Sequence, residues 1–188
     1  EEELLRLAPG CVGWLAGVEK ITSRVLEAAK GLMAISRNGT GVDNVDLEAA
    51  KHLGVAVLRA EGANARGVAE LAFGLLLALA RSIPFGDSAL KAGKWERRQG
   101  MELEGRTLGL VGCGRIGKMV ARFALAFEMK VLAYDAYPDA SFAPGPGFRF
   151  AKLDEVLSQS HAISLHCPHK PGEPPLVDAA AIAKMRKC

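Results

Sequence analysis

The sequence predicts an α/β protein built on parallel sheets, and three observations carry that expectation. Short apolar runs alternate with amphipathic stretches along most of the chain, the pattern of strand–helix–strand crossovers. The run "TLGLVGCGRIGKMVARFALAFEMKVLAYD", residues 107–135, sets Gly112, Gly114 and Gly117 between an apolar strand and a helical stretch and closes on Asp135. The chain has 188 residues, 49% of them hydrophobic, enough for one large domain or two small ones.

Taken in order, "CVGWLAG" reads as a buried strand and "TSRVLEAAKG" as a helix capped by Thr22 or Ser23 and stopped by Gly31. "LMAIS" is a second strand, "RNGTGVDN" a turn, and "VDLEAAKHLG" a helix with Asp46 near its start and Gly54 past its end. "VAVLR" is a third strand. This alternation implies parallel pairing through right-handed crossovers.

The middle of the chain changes character. "NARGVAELAFGLLLALARSI" reads as one long helix, apolar nearly all round, broken by Pro84. Such a helix is buried either in its own core or against a second subunit, and the sequence leaves both open. "FGDSALKAGKW" is a further helical stretch and "ERRQGMELEG" a loop. Alternation then resumes: strand "TLGLVG", helix 115–127 with Ile116, Val120, Phe123 and Phe127 on one face, and strand "KVLAYD". Loop "PDASFAPGPG", helix "LDEVLSQS", strand "HAISLHC" and the stiff loop "PHKPGEPP" follow. The boundary between two α/β units falls near Asn64 or on either side of the long helix.

Several function classes are disfavoured by composition. A net charge of +3, from 24 basic and 21 acidic side chains, offers no nucleic-acid surface. The apolar run 71–80 is too short to cross a membrane, which takes about 20 residues. Cys11, Cys113, Cys167 and Cys188 match neither zinc spacing nor a disulfide framework, so they read as reduced thiols of a cytoplasmic protein.

The glycines carry the first functional signal. They follow a strand, open a helix and lie inside a strand–helix–strand unit, the context that G-x-G-x-x-G needs to mean dinucleotide binding. Gly112 permits the tight turn, Gly114 lets a pyrophosphate approach the backbone, and Gly117 lets helix and strand pack closely. Asp135 stands close to the roughly 20-residue offset at which an acid binds the adenosine ribose. A carboxylate there repels a 2′-phosphate, and no arginine follows in "DAYPD", so NAD is expected over NADP. S-adenosylmethionine, bound by related sheets with a glycine loop and a strand-end acid, is the alternative ligand.

Taken together, "SRNGTGVDNVDLEAAKHLGV", "GANARGVAELAFGLLLALAR", "LEGRTLGLVGCGRIGKMVARFALAFEMKVLAYD" and "SLHCP" resemble the D-isomer-specific 2-hydroxyacid dehydrogenases, which include D-3-phosphoglycerate dehydrogenase. The resemblance implies a Rossmann-type doubly wound parallel sheet over residues 64–188, with a long dimerisation helix. It implies part of a flavodoxin-like substrate domain over 1–63. Carried across, Arg115 and Ile116 meet the pyrophosphate, Asp135 the ribose, Cys167 and Pro168 the adenine side, and Thr40 the nicotinamide half. Asn38 and Gly39 offer backbone N–H groups to the substrate carboxylate.

The family's substrate-binding arginine and its acid–histidine pair are expected beyond Cys188, so no catalytic residue is assigned within the chain. Its opening without methionine at "EEELLRLAPG" and its stop at "AIAKMRKC" look like a piece of a longer polypeptide. The expected activity is hydride transfer between NAD and a 2-hydroxy or 2-keto acid, 3-phosphoglycerate among the candidates, by a homodimer. A second expectation is an NAD(H)-binding regulatory or scaffold protein like the C-terminal-binding-protein co-repressors. Two departures bear on substrate and cofactor: "LAGVEK" lacks the arginine of phosphoglycerate-specific relatives, and "KPGEPPLVD" alters the loop beside the adenine.

Other polar groups read as structural. "HCPH" places neighbouring side chains on opposite strand faces, without further zinc-spaced ligands. Asp43, Asn44 and Asp46 shape a turn and cap a helix. Glu70 is expected near the start of the long helix, favoured by its dipole.

Overall fold

The computed structural model describes residues 1–169 and 172–187 and divides into two compact units, Glu1–Asn64 and Ala65–Cys188. Lys170 and Pro171, within the predicted stiff loop, and the Cys188 thiol lie outside the described residues.

The first unit runs α1 (Glu2–Leu7), β1 (Gly13–Ala16), α2 (Ser23–Ala28), β2 (Ala34–Arg37), α3 (Leu47–His52) and β3 (Ala56–Arg59). Its strands pair in parallel in the order β1-β2-β3, with Trp14 opposite Ile35 and Ile35 opposite Val57. The helices start where the sequence supplies caps. Thr22 accepts from the Val25 N–H at 3.4 Å, and Asp46 from the Ala49 N–H at 2.9 Å. They stop where glycine permits left-handed backbone, at Gly31 (φ +96°) and Gly54 (φ +72°). Ile21, Val25, Leu26, Ile35 and Val45 bury the interior.

The second unit runs α4 (Ala65–Ala80), α5 (Ile83–Lys91), β4 (Thr107–Val111), α6 (Arg115–Ala126), β5 (Lys130–Tyr134), β6 (Phe148–Phe150), α7 (Leu153–Gln159), β7 (Ala162–Leu165) and α8 (Ala179–Lys184). All its strand pairs are parallel, in the order β6-β5-β4-β7. This is the 3-2-1-4 portion of a doubly wound sheet, with the change of direction between β4 and β7.

Strand alternation explains how both faces of this sheet are covered. Leu108, Leu110, Val131 and Ala133 face α6 and α4, where Phe73 meets Phe123 and Phe127 with ring centroids 6.0 and 4.9 Å apart. Val111 and Leu132 face the other way and bury Val156 of α7. Gly109, in mid-strand, makes that second layer possible, since a Cβ there would lie 2.8 Å from Val156 Cγ1.

Several expectations need correcting. The long helix ends at Ala80, where Ser82 adopts φ +51°, and α5 leaves at 68°. Pro84 therefore does not break a helix but sits in the first turn of the next, where a missing N–H costs nothing. Glu70 is not in the first turn of α4; it pairs with Arg66 one turn earlier at 2.8 Å. The nearly all-apolar α4 is buried on one side only, at Ala65, Ala69, Phe73 and Ala80. Leu71, Leu75 and Leu79 stay 63%, 57% and 80% exposed. Three elements were not anticipated: α1, α8 and β6. Residues 148–150, which follow the predicted loop and belong to no predicted element, take strand geometry by pairing with 131–133 of β5.

Candidate functional site

The turn between β4 and α6 is shaped by what its glycines touch. Gly112 has φ +95°, and a Cβ on it would fall 2.6 Å from both His166 C and Cys167 N. The turn thus lies directly against the end of β7, and only a residue without a side chain fits. Its N–H donates to Tyr134 O at 2.8 Å, joining the turn to β5 as well. A Cβ on Gly117 would stand 2.3 Å from Gly112 O, so α6 presses on the turn at that point.

Gly114 behaves differently. A Cβ there would meet nothing within 4 Å, and the residue, at φ −77°, caps α6 without any side-chain acceptor. Neither strain nor crowding calls for glycine at this position in the protein alone. An exposed surface beside uncapped first-turn amides suits an anionic group that approaches the backbone closely. Arg115 is exposed and Ile116 half-buried on this same first turn.

Asp135 follows β5 and faces the turn. Its Oδ2 accepts from the Cys113 N–H at 2.7 Å and its Oδ1 from the Tyr137 N–H at 2.8 Å. The carboxylate is therefore held next to the glycine turn, with lone pairs left for an incoming hydroxyl. Cys113 itself is buried, and its thiol is pushed up to about 11 by burial first and then by Asp135. It serves as packing rather than as a nucleophile.

Cys167 and Pro168, both exposed, leave β7 alongside Gly112, so they flank the turn opposite Asp135's strand. His166 is partly buried there. Its N–H donates to Val111 O at 2.7 Å, its Nε2 lies 2.9 Å from Ser164 Oγ, and burial pushes its pKa down. The structure thus gathers Gly112, Gly114, Arg115, Ile116, Gly117, Asp135, Cys167 and Pro168 at one end of the sheet, outside the carboxyl ends of β4, β5 and β7. That is where doubly wound sheets bind ligands. These residues fit a dinucleotide: open backbone for a pyrophosphate and a fixed acid for a ribose.

In the first unit, Asn38, Gly39 and Thr40 follow β2 and form one short loop. Its amides are already engaged. The Asn38 N–H donates to Ala16 O at 2.8 Å, extending the sheet, and the Gly39 N–H to Arg37 O at 2.9 Å across a three-residue turn. Thr40 Oγ1 lies 3.2 Å from Ala60 O and 3.1 Å from Asn64 Oδ1. Two supports were not legible beforehand. Arg37 Nε donates to Asn44 Oδ1 at 3.0 Å, and Asn44 Nδ2 donates to Glu19 O at 2.6 Å, bracing the loop from below. Glu19 accepts from Trp14 Nε1 and from the Gly17 N–H, each at 3.1 Å; burial raises its pKa, but these donors outweigh that and leave it lowered.

Comparisons with known proteins converge on one family. Residues 73–188 match the model of the D-isomer specific 2-hydroxyacid dehydrogenase, NAD binding domain. The chain is 42% identical to hydroxypyruvate reductase of Thermotoga maritima, over 99% of this chain and 61% of that protein. It is 39% identical to D-3-phosphoglycerate dehydrogenase of Archaeoglobus fulgidus, over 98% of this chain and 36% of that protein. Among solved structures, the apo form of D-lactate dehydrogenase from Escherichia coli superposes with a TM-score of 0.88 at 34% identity, covering 99% of this chain and 60% of that one. The chain thus spans from about a third to three fifths of the length of the curated relatives it matches.

Proposed function

Because this chain belongs to the D-isomer-specific 2-hydroxyacid dehydrogenase family and its residues 73–188 are that family's NAD-binding domain, we propose that the whole protein moves hydride between NAD and a 2-hydroxy or 2-keto acid. Asp135 supports this most directly, since its carboxylate is fixed by two backbone N–H groups beside a glycine turn that leaves Gly114 open. NAD, when bound, supplies the hydride acceptor or donor. The chain's own part is to bind and orient: first-turn amides of α6 with Arg115 and Ile116 at the pyrophosphate, Asp135 at the ribose, Cys167 and Pro168 beside the adenine.

The first unit, Glu1–Asn64, supplies the substrate side in this reading. Of the two amides assigned to the substrate carboxylate, Gly39's is the one a carboxylate can recruit, since its present bond closes only a tight three-residue turn. The Asn38 amide extends the sheet, so we assign it to holding the loop. Glu19 stands just after β1, the region where phosphoglycerate-specific relatives have an arginine, and a fixed carboxylate there disfavours a phosphorylated acid. An unphosphorylated 2-keto acid of the hydroxypyruvate type is the favoured substrate.

The test is NADH oxidation by the full-length protein with hydroxypyruvate, pyruvate and phosphohydroxypyruvate. Expected is turnover at an enzyme-like rate, above about 1 per second, with the unphosphorylated acids preferred. NADH binding without turnover of any acid would overturn the enzymatic reading in favour of the scaffold one.

The exposed stripe of Leu71, Leu75 and Leu79 recurs every four residues on α4, the spacing of one helical face. We assign it to a second copy of this chain. The paired change Leu75→Glu, Leu79→Glu should turn a dimer into a monomer in sedimentation equilibrium. A wild-type monomer, or a dimer that survives the change, rules this assignment out. Cys11, Cys113 and Cys167 are free thiols, and among the described residues no single helix is long and apolar enough to cross a membrane. Both are in keeping with the cytoplasm as the place of action.

A further inference from the structure

Beside Asp135 lies a second pair of charges that the dinucleotide reading leaves without a role. Lys118 directly follows Gly117, the glycine that presses α6 onto the turn. Its ammonium donates to Asp139 Oδ2, in the loop after β5, and lies 5.3 Å from the Phe142 ring centroid. The pair is more enclosed than an ordinary surface contact, with the Lys118 side chain 29% and the Asp139 side chain 41% exposed. Asp139 is itself fixed, its Oδ1 accepting from the Ser141 N–H at 3.0 Å and from Ser141 Oγ–H at 2.6 Å.

The pair joins the two segments next to Asp135: Lys118 stands in the first turn of α6, right after the glycine turn, and Asp139 lies four residues beyond Asp135 in the same loop. Asp135 Oδ2 holds the Cys113 N–H, and the Cys113 thiol feels Asp135, Lys118 and Asp139 together. The Lys118–Asp139 ion pair thus ties the first turn of α6 to the loop that begins at Asp135, the carboxylate assigned to the ribose. A ribose 2′-phosphate would bring nearly two negative charges close to these groups, and sites that accept it supply a cation close by. Lys118 is such a cation by type and position, but its ammonium is already committed. Arg122 lies one turn further along α6, its guanidinium 5.6 Å from the Phe142 centroid, and is a second cation beside this loop.

We propose that Asp139 is a second residue selecting NAD over NADP, which acts by engaging Lys118 and so withholding it from a 2′-phosphate. The inference rests on the assignment of Asp135 to the adenosine ribose. It separates two jobs that the strand-end acid is usually given alone: Asp135 repels the 2′-phosphate, while Asp139 removes the attraction that would compensate.

Asp139→Asn is the discriminating variant. The amide oxygen can still accept from Ser141, so the loop keeps its local bonds, while the charge that holds Lys118 is gone. NADH and NADPH affinities are measured by calorimetry on the full-length wild type, on Asp139→Asn, on Lys118→Met and on the double variant, with thermal unfolding as the folding control. NADPH binding should tighten about fivefold in Asp139→Asn, the scale of one freed partly screened charge, with NADH changed less than about twofold. Adding Lys118→Met should abolish the gain, and raising the salt from about 0.05 to 0.5 M should shrink it. Unchanged NADPH affinity in Asp139→Asn, or a gain that survives Lys118→Met, overturns the proposal while NADH binding by the wild type leaves the ribose assignment standing. A wild type that binds no NADH overturns both.

Discussion

Gly117→Ala is expected to weaken NADH binding about a hundredfold while lowering the melting temperature by only roughly 5 °C. The new Cβ would stand 2.3 Å from Gly112 O, about an ångström inside normal contact. Neither atom can swing aside, because one is on the α6 backbone and the other is the carbonyl of a turn pinned to β5 and β7. Relief requires the start of α6 to lift off the turn. Overpacking of this kind costs on the order of 1–3 kcal/mol of stability. The loss of binding is larger in effect, since the lifted helix start carries the amides proposed for the pyrophosphate, and displacements near 1 Å can cost two orders of magnitude in function. Gly114→Ala is the matched contrast. Its Cβ meets nothing within 4 Å, so unfolding should be unchanged while NADH binding is lost, if that open space is where the pyrophosphate lies. Equal NADH affinity across wild type and both variants, by fluorescence titration, would remove the glycine turn from the site.

Asp135→Ala should weaken NADH binding by roughly 10–100-fold, the scale of a hydrogen bond to a charged group, and bring NADPH affinity close to that of NADH. Two physical effects act in the same direction. The ribose hydroxyls lose a charged acceptor, and the Cys113 and Tyr137 N–H groups lose the oxygens that hold the turn and the following loop in place. Asp135→Asn separates them. One amide oxygen can still accept from a backbone N–H but no longer repels a phosphate, so it should recover part of the NADH affinity and retain the relaxed discrimination. Titrations that give the wild-type NADH-to-NADPH ratio for either variant would place the ribose elsewhere.

Most helix starts and stops were readable because their signals are local. Thr22, Asp46, Gly31 and Gly54 act on backbone groups within three residues, so the sequence neighbourhood contains both partners. Parallel pairing was readable for a related reason, since strands that alternate with helices along the chain are joined by crossovers. The misjudged elements depend on distant partners. β6 is a strand only because β5 is there to pair with it, and its own residues, next to a loop rich in proline and glycine, give no alternating pattern long enough to detect. α4 looked buried because hydrophobicity reports what a side chain favours, not whether a neighbour is present to cover it. Leu75 and Leu79 are apolar whether or not a second copy meets them.

The candidate site divides along the same line. That three glycines and an acid belong together follows from their spacing, because a strand–turn–helix unit of fixed length carries them to predictable places. What each glycine is for does not follow from spacing. Gly112 and Gly117 are required by His166, Cys167 and each other's backbone, whereas Gly114 alone is left free for a ligand. The pairing of Lys118 with Asp139 joins residues 21 apart that share no motif. Sequence by itself determined the alternation of most strands and helices, the glycine turn and the acid that faces it, since each rests on short-range geometry. Only the tertiary structure decided which charges meet, which amides remain for a substrate and which apolar face is left bare, because those depend on segments remote in the chain being packed to within a few ångströms.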